Sequence, residues 1–129
     1  MIGLIVLIVS CILLYLLLPV VSIFMILKYL FTGDKRMLAV WFWRTAKAID
    51  IFANVNGAEF FNSIFITDGG YKFGNPQETI SSVIGKNQRD NTLSIAGKIL
   101  RWMLDKISDD HCLNSINLDA TNTHKDTSK

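Results

Sequence analysis

The chain is poor in the residues that build disulfides and metal sites. It has two cysteines and two histidines among 129 residues. Cys11 lies in an apolar stretch and Cys112 in a distant polar region, so we expect no disulfide framework. His111 and Cys112 are neighbours and would point about 100° apart on a helix, while His124 is near the C-terminus. Because a zinc site needs about four ligands, we expect no metal and no cofactor.

Motifs for catalysis and for nucleic-acid binding are also lacking. Ser81 and Ser82 stand outside any Gly-x-Ser-x-Gly elbow, and no Gly-Lys-Ser/Thr follows the glycines of residues 67–75. A thiol–imidazole dyad usually joins distant segments, which argues against Cys112 with His111 as its base. The net charge of +2 gives no argument for nucleic acid as a partner. We therefore assign no catalytic residue.

Charge is absent from residues 1–27, which are rich in Ile, Leu, Val, Phe and Met. A helix needs roughly 20 apolar residues to cross a bilayer, so we predict a transmembrane anchor over residues 1–31, ending near Gly33. A cleaved signal peptide fits less well, because the run has no basic start and no small-x-small cleavage site. A hairpin turning at Pro19 would leave two arms that are too short to cross.

Basic residues are concentrated just after this run, and they predict its orientation. Lys and Arg close to a span are retained on the cytoplasmic side, so we expect the N-terminus outside and the C-terminus in the cytoplasm of a bacterial inner membrane. The residues expected at the membrane interface are basic or aromatic: Lys28, Lys35, Arg36, Trp41, Trp43, Arg44 and Lys47.

Residues 37–54 predict an amphipathic helix. At 100° per residue, the apolar side chains, among them Ile49 and Phe52, fall in one half of the helical wheel. Asp50 and Asn54 fall in the other half with Arg44 and Lys47. The apolar half could lie on the bilayer surface or pack on the rest of the domain, and the sequence does not decide between them.

The remaining sequence predicts a small helical domain. Gly57 ends the amphipathic helix, and residues 60–66 form an apolar cluster that is either helix or strand. Asn75 is the expected N-cap of a helix over residues 76–84 that stops at Gly85, followed by a loop over 86–91. A helix over 92–108 is predicted to bury an apolar stripe, widened by Ile99 and Leu104, that consists of Leu93, Ala96, Leu100, Met103 and Ile107. The same helix carries Trp102 between Lys98 and Lys106 on its other side, which indicates either a membrane contact or packing on another helix. A short last helix spans residues 111–116.

The predicted fold is thus mainly α. One N-terminal transmembrane helix (residues 1–31) is followed by an amphipathic helix and a small helical cytoplasmic domain (residues 32–116). Residues 117–129 have almost no apolar side chains and predict a disordered tail.

Three short patches resemble a family of small membrane proteins encoded by tailed bacteriophages and prophages. The residues that carry the resemblance are Asp50 and Asn54 in the first patch, Glu78, Thr79, Ser81 and Ser82 in the second, and His111, Cys112 and Ser115 in the third. The chain departs from the family pattern by an apparent insertion over residues 60–73 and by Val83, where the family often has Arg. The resemblance implies a phage or bacterial origin and an inner-membrane location, and it implies no activity.

The function expected from these features is binding rather than catalysis. The chain would be a phage-encoded single-pass inner-membrane protein whose partners are the lipid bilayer and a host membrane protein or its own copies. One alternative is a holin-like lysis oligomer, since Gly3 and Ser10 on one face of the span permit close helix approach. Another is a membrane-surface enzyme, which would require Asp50, Glu78, Ser81, His111 and Cys112 to converge.

Overall fold

The computed structural model describes residues 1–121, and their structure is mainly helical, without a β-strand in that part of the chain. This confirms the predicted fold class. The elements are α1 (Ile2–Thr32), α2 (Lys35–Asn56), α3 (Ala58–Ile64), α4 (Ile80–Arg89), α5 (Ile95–Leu104), α6 (His111–Asn114) and a 3₁₀ helix (Asp119–Thr121). The chain forms two compact units, Met1–Thr45 and Ala46–Lys129, and α2 begins in the first and ends in the second.

The helix α1 is continuous, and none of its residues is buried. It has no charged side chain from its start to Leu27. It is long and apolar enough to span a membrane. Because α1 continues through Pro19 without a break, the alternative of a hairpin that turns at Pro19 is wrong. Gly33 ends the helix as predicted: its φ of 70° places it in the left-handed region, and its N–H donates to the Leu30 carbonyl at 3.2 Å.

The core of the second unit surrounds α4. Its buried apolar residues are Ile66, Phe73, Val83, Ile84, Leu93 and Cys112. The apolar cluster after Gly57 forms the helix α3, and the Phe61 and Phe73 rings of this region lie 5.4 Å apart between centroids. A single antiparallel bridge joins Ile66 to Leu93 and ties the end of the α3 region to the start of α5.

The start and the end of α4 differ from the prediction. Asn75 caps only a turn, because its Oδ1 accepts from the Gln77 N–H at 2.9 Å. The helix begins later, where the Thr79 Oγ1 accepts from the Ser82 N–H at 3.1 Å. Gly85 does not stop the helix. A Cβ there would lie 2.7 Å from the Cys112 carbonyl carbon, so this glycine lets α6 approach closely, and the predicted loop over 86–91 is mostly helix.

The buried side of α5 is also displaced from the predicted one. Ser94 caps the helix, and Leu100 and Leu104 pack on the core as expected. Met103 and Ile107 were expected in the same stripe and are exposed. The cause is Gly97, whose backbone lies directly against the Phe65 carbonyl and so turns its own edge of the helix toward the core.

The ordered chain continues past the expected boundary at residue 116. The Asn117 N–H donates to Ser82 Oγ at 2.9 Å, and its side-chain amide donates to the Gln77 carbonyl at 3.0 Å. Ala120 is buried, and its carbonyl accepts from Asn75 Nδ2 at 3.3 Å. Side-chain hydrogen bonds therefore order a polar segment that composition assigns to the tail. The rest of the predicted tail, residues 122–129, lies outside the described residues.

Candidate functional site

Two polar residues of α2 connect this helix to the segment that precedes α4. Asn54 is fully buried, and its side-chain amide donates to the carbonyls of Asn75 at 2.9 Å and Glu78 at 2.8 Å. Its Oδ1 accepts from the Gly74 N–H at 3.1 Å. All three of these hydrogen bonds join the Asn54 side chain to the backbone of one loop, whose conformation they fix.

Asp50, one turn earlier on α2, binds the N-terminus of α4. Its Oδ1 accepts from the Ile80 N–H at 3.1 Å, where the unpaired amides of a helix start favour a carboxylate. Burial raises the pKa of Asp50, and the backbone amides of Ile80 and Ser81, followed by the charge of His111, oppose that rise. Asp50 therefore acts as a cap supplied by another helix.

Glu78 is the centre of a buried polar network. Its Oε1 accepts from Ser82 Oγ at 2.8 Å and lies 2.5 Å from Lys86 Nζ, and its Oε2 accepts from the Tyr71 hydroxyl at 2.6 Å. The Lys86 ammonium also lies 4.3 Å from the centroid of the Tyr71 ring. Burial, together with the hydrogen bond to Glu78, raises the pKa of Tyr71 to about 12. The carboxylate and ammonium compensate each other in a site that is closed to solvent.

The third patch lies on α6, and its thiol is inert. Cys112 is fully buried, and its backbone N–H donates to Asp105 Oδ1 at 3.2 Å. Burial, followed by the nearby Asp105 carboxylate, raises the pKa of the Cys112 thiol to about 12, so the thiolate is scarce near neutral pH. His111 lies 3.3 Å from Ser108 Oγ through its Nδ1, and Ser115 Oγ donates to the His111 carbonyl at 2.7 Å. These contacts are local to α6 and the turn before it.

The patches lie around α4, on which α6 packs at Gly85, and most of their polar groups bind other parts of the domain. Asp50 and Thr79 cap α4, Asn54 orders a loop, and Glu78 pairs inside the core. Ser81 is buried at the first turn of α4. Within residues 1–121, no three His, Cys, Asp or Glu side chains are grouped so that they could hold a metal ion. The chemistry that this arrangement supports is structural hydrogen bonding.

Lys86 and Asn87 belong to the network and were missed by the sequence prediction, which placed them in a loop. Asn87 Oδ1 accepts from the Tyr71 N–H at 2.8 Å and from Thr92 Oγ1 at 2.6 Å, and its Nδ2 donates to the Val83 carbonyl at 2.8 Å. A signal was present, because Glu78, Ser82 and Lys86 follow one another at intervals of four. This is the spacing of one helix face.

The expected membrane-interface residues remain at the surface of their own units, except that Trp41 is half-buried. In the first unit, the rings of Trp41 and Phe42 lie 5.3 Å apart. The exposed ones are Lys28, Lys35, Arg36, Trp43, Arg44 and, in the second unit, Lys47. Lys28 lies 5.6 Å from the Tyr29 ring centroid, a pairing suited to the end of a membrane span.

In the second unit, Asp50 and Asn54 of the polar half of α2 face the core. Lys47 of the same half is exposed, and so are the apolar Ile49 and Phe52. Asn54 is 0% exposed, whereas Phe52 is 54% exposed. We call Ile49, Phe52 and Val55 the outer face of α2, since all three are exposed. Packing of this apolar half on the domain was one of the two alternatives for the amphipathic helix, and it is wrong for Ile49 and Phe52, which are exposed. The N-terminus of α4 and the loop before it need polar partners, which is why Asp50 and Asn54 are inside.

Comparisons of the chain with models of protein families, with curated proteins and with solved structures find no match.

Proposed function

We propose that this chain is a single-pass inner-membrane protein of phage origin that acts by binding a host or phage membrane component. The observation that carries the proposal is the burial pattern of the second unit. Glu78 and Lys86 lie inside and bind each other, while the apolar outer face of α2 is exposed. Apolar side chains grouped at a surface mark interaction sites. The Glu78 carboxylate is buried and already binds Tyr71, Ser82 and Lys86, so it is closed to a substrate.

The proposed location rests on α1 and its basic flank. The span is free of charge to Leu27, and the charges that follow it are mostly Lys and Arg. The positive-inside rule then favours an external N-terminus and a cytoplasmic second unit. The proposed origin rests on the resemblance carried by the three sequence patches.

Membrane fractionation of the full chain tests the location. We expect the chain to stay in the membrane pellet after alkaline carbonate washing. The variant Leu13→Arg/Leu14→Arg should be lost from the pellet, because an Arg at the centre of a span costs about 2.5–3.5 kcal/mol. The matched control is Phe31→Arg at the end of α1, where the side chain can reach the interface. A full chain that is freely soluble, or a central pair of arginines without effect, would refute the anchor.

Photo-crosslinking in intact cells tests the binding surface. A benzophenone amino acid at Phe52, on the outer face of α2, should give an adduct of defined mass, whereas the same probe at the exposed Lys72 should not. An adduct of twice the chain mass identifies self-association, and a larger or smaller one identifies another membrane component. A membrane-inserted chain whose Phe52 probe gives no more product than the Lys72 probe would contradict the proposal.

The two alternatives give different results in the same cells. A holin-like oligomer requires induced expression to collapse the membrane potential, and a binding protein leaves that potential intact. A membrane-surface enzyme requires access to the converging side chains. Of these side chains, Glu78, Ser81 and Cys112 are all buried, which is why we favour binding over catalysis.

A further inference from the structure

The helix α5 has a second apolar side that none of the described residues of the second unit covers. Its core side contains Gly97, Leu100 and Leu104, and Leu93 just before the helix extends it. On its other side, four apolar residues of the helix, and Ile107 in the turn that follows, are between 56% and 80% exposed. The four helical residues are separated by four, three and one positions, which places them along one helix face. We call all five residues the α5 stripe: Ile95, Ile99, Trp102, Met103 and Ile107.

Positive charge borders the α5 stripe. Lys98 and Lys106 are exposed, and Lys106 Nζ lies 5.0 Å from the centroid of the Trp102 ring. Arg101 and Asp105 lie 3.6 Å apart and neutralise each other. The described residues place no carboxylate within ion-pair distance of either lysine. The charge that the stripe presents along α5 is therefore basic, and Asp109 and Asp110 come only after it, at the start of α6.

The side chains of the α5 stripe suit the interface of a bilayer. An indole places its apolar body among acyl chains and its N–H near the headgroups. A lysine extends its aliphatic stem along the apolar layer and keeps its ammonium at the phosphates. A helix with an apolar face edged by Lys and containing Trp lies in the interfacial plane and prefers anionic lipid.

We propose that the α5 stripe docks the second unit onto the surface of an anionic bilayer. This inference rests on the proposed membrane anchoring, because α1 would hold the second unit close to lipid and so raise the local concentration of its docking partner. Docking adds an electrostatic contact, so it depends on the lipid charge and weakens as salt rises. The second unit would then have a bound and a released state at the membrane.

A fluorescent probe on the full chain tests this docking. In a Cys11→Ala background, Ile99→Cys carries an environment-sensitive nitrobenzoxadiazole label. The matched control is Lys72→Cys with the same label, since Lys72 is exposed and lies outside α5. Both are inserted into vesicles of phosphatidylcholine alone or mixed with phosphatidylglycerol. We expect a blue shift and shielding from aqueous quencher at position 99 only with the anionic lipid, and no change at position 72.

Neutralising the lysines gives the quantitative test. Lys98→Gln/Lys106→Gln should lower the ratio of docked to released second unit roughly 30-fold. Each lysine near an anionic surface strengthens binding by roughly 5-fold, and the two effects multiply. Lys72→Gln/Arg89→Gln removes the same charge at exposed positions outside α5 and should have a much smaller effect. Both side chains of the test pair are at the surface, so the fold is retained.

Each other outcome overturns the inference. A position-99 probe that stays as exposed to water as the position-72 probe in anionic vesicles shows no docking. Shielding that is equal in both lipids and grows with the protein-to-lipid ratio identifies a second copy of the chain as the occupant. Because inserted chain is separated from free chain by flotation before the measurement, failure of the anchor is seen as absence from the vesicles and is distinct from failure to dock.

Discussion

Removal of the Asn54 side chain is expected to destabilise the second unit more than its small volume suggests. Asn54→Ala deletes two donated bonds of 2.9 and 2.8 Å and one accepted bond of 3.1 Å in a fully buried position. A net contribution of about 0.5–1.5 kcal/mol for each bond gives a loss of about 3 kcal/mol. The loss is of this size because the carbonyls of Asn75 and Glu78 and the Gly74 N–H stay buried without this partner. For a domain of this length, it corresponds to a fall in melting temperature of roughly 12–24 °C.

The assay is urea unfolding of the full chain in a mild detergent, with circular dichroism as the probe. Asn56→Ala is the matched control on the same helix, since its exposed amide donates only to the Phe52 carbonyl one turn back. The control should move the free energy of unfolding by no more than about 0.5 kcal/mol. If the two variants unfold at the same urea concentration, Asn54 does not hold the loop and the buried network lacks the role given to it.

Three further results are expected. Gly85→Ala should destabilise the second unit by about 1–3 kcal/mol, because the new methyl group would collide with the backbone of α6. The control Gly3→Ala should be neutral, since a Cβ there meets nothing within 4 Å. Equal urea midpoints for the two variants would contradict the close approach of α6 to Gly85. Glu78→Gln should lower the free energy of unfolding by about 3–5 kcal/mol, because it leaves the buried Lys86 ammonium uncompensated. The double variant Glu78→Gln/Lys86→Met should lose less than the sum of its single variants. Additive losses in this double-mutant cycle would show that the two side chains are not coupled. The thiol of Cys112, with a pKa raised to about 12, should resist maleimide at pH 8 until urea is added. Since the unfolded thiol ionises first, the free energy of unfolding should fall as pH rises above the usual value of 9.0, and Cys112→Ala should remove that part of the fall.

The helical elements were predictable wherever local chemistry is sufficient. The uncharged run and the Gly33 cap define α1, and the break at Gly57 separates α2 from α3 as expected. The predictions were wrong where the role of a residue depends on a contact with a segment distant in the chain. Gly85 is a common helix terminator, but here it makes room for the Cys112 backbone. Asn75 is a good cap by type, yet the helix starts at Thr79.

The candidate site follows the same division. The three patches were identified by residue type and order, and they do converge. The roles of their residues could not be predicted, because the helical periodicity of α2 alone assigns Asp50 and Asn54 to a polar face that would be expected in solvent. The buried position of Asn54 depends on the unpaired backbone groups of a loop far along the chain. Lys86 was expected in a solvated loop and is the buried partner of Glu78.

What the sequence alone determined is the element type and the apolar N-terminal helix, since both follow from hydrophobic period, the absence of charge and short-range capping. Only the tertiary structure decided which face of each helix points inward. In α2, Asp50 and Asn54 of the polar face do so, and in α5 only one of the two apolar faces packs on the core. The physical reason is that the backbone donors and acceptors left unpaired by the loops must be satisfied inside the domain. Contacts between segments distant in the chain decide which side chains bind these backbone groups.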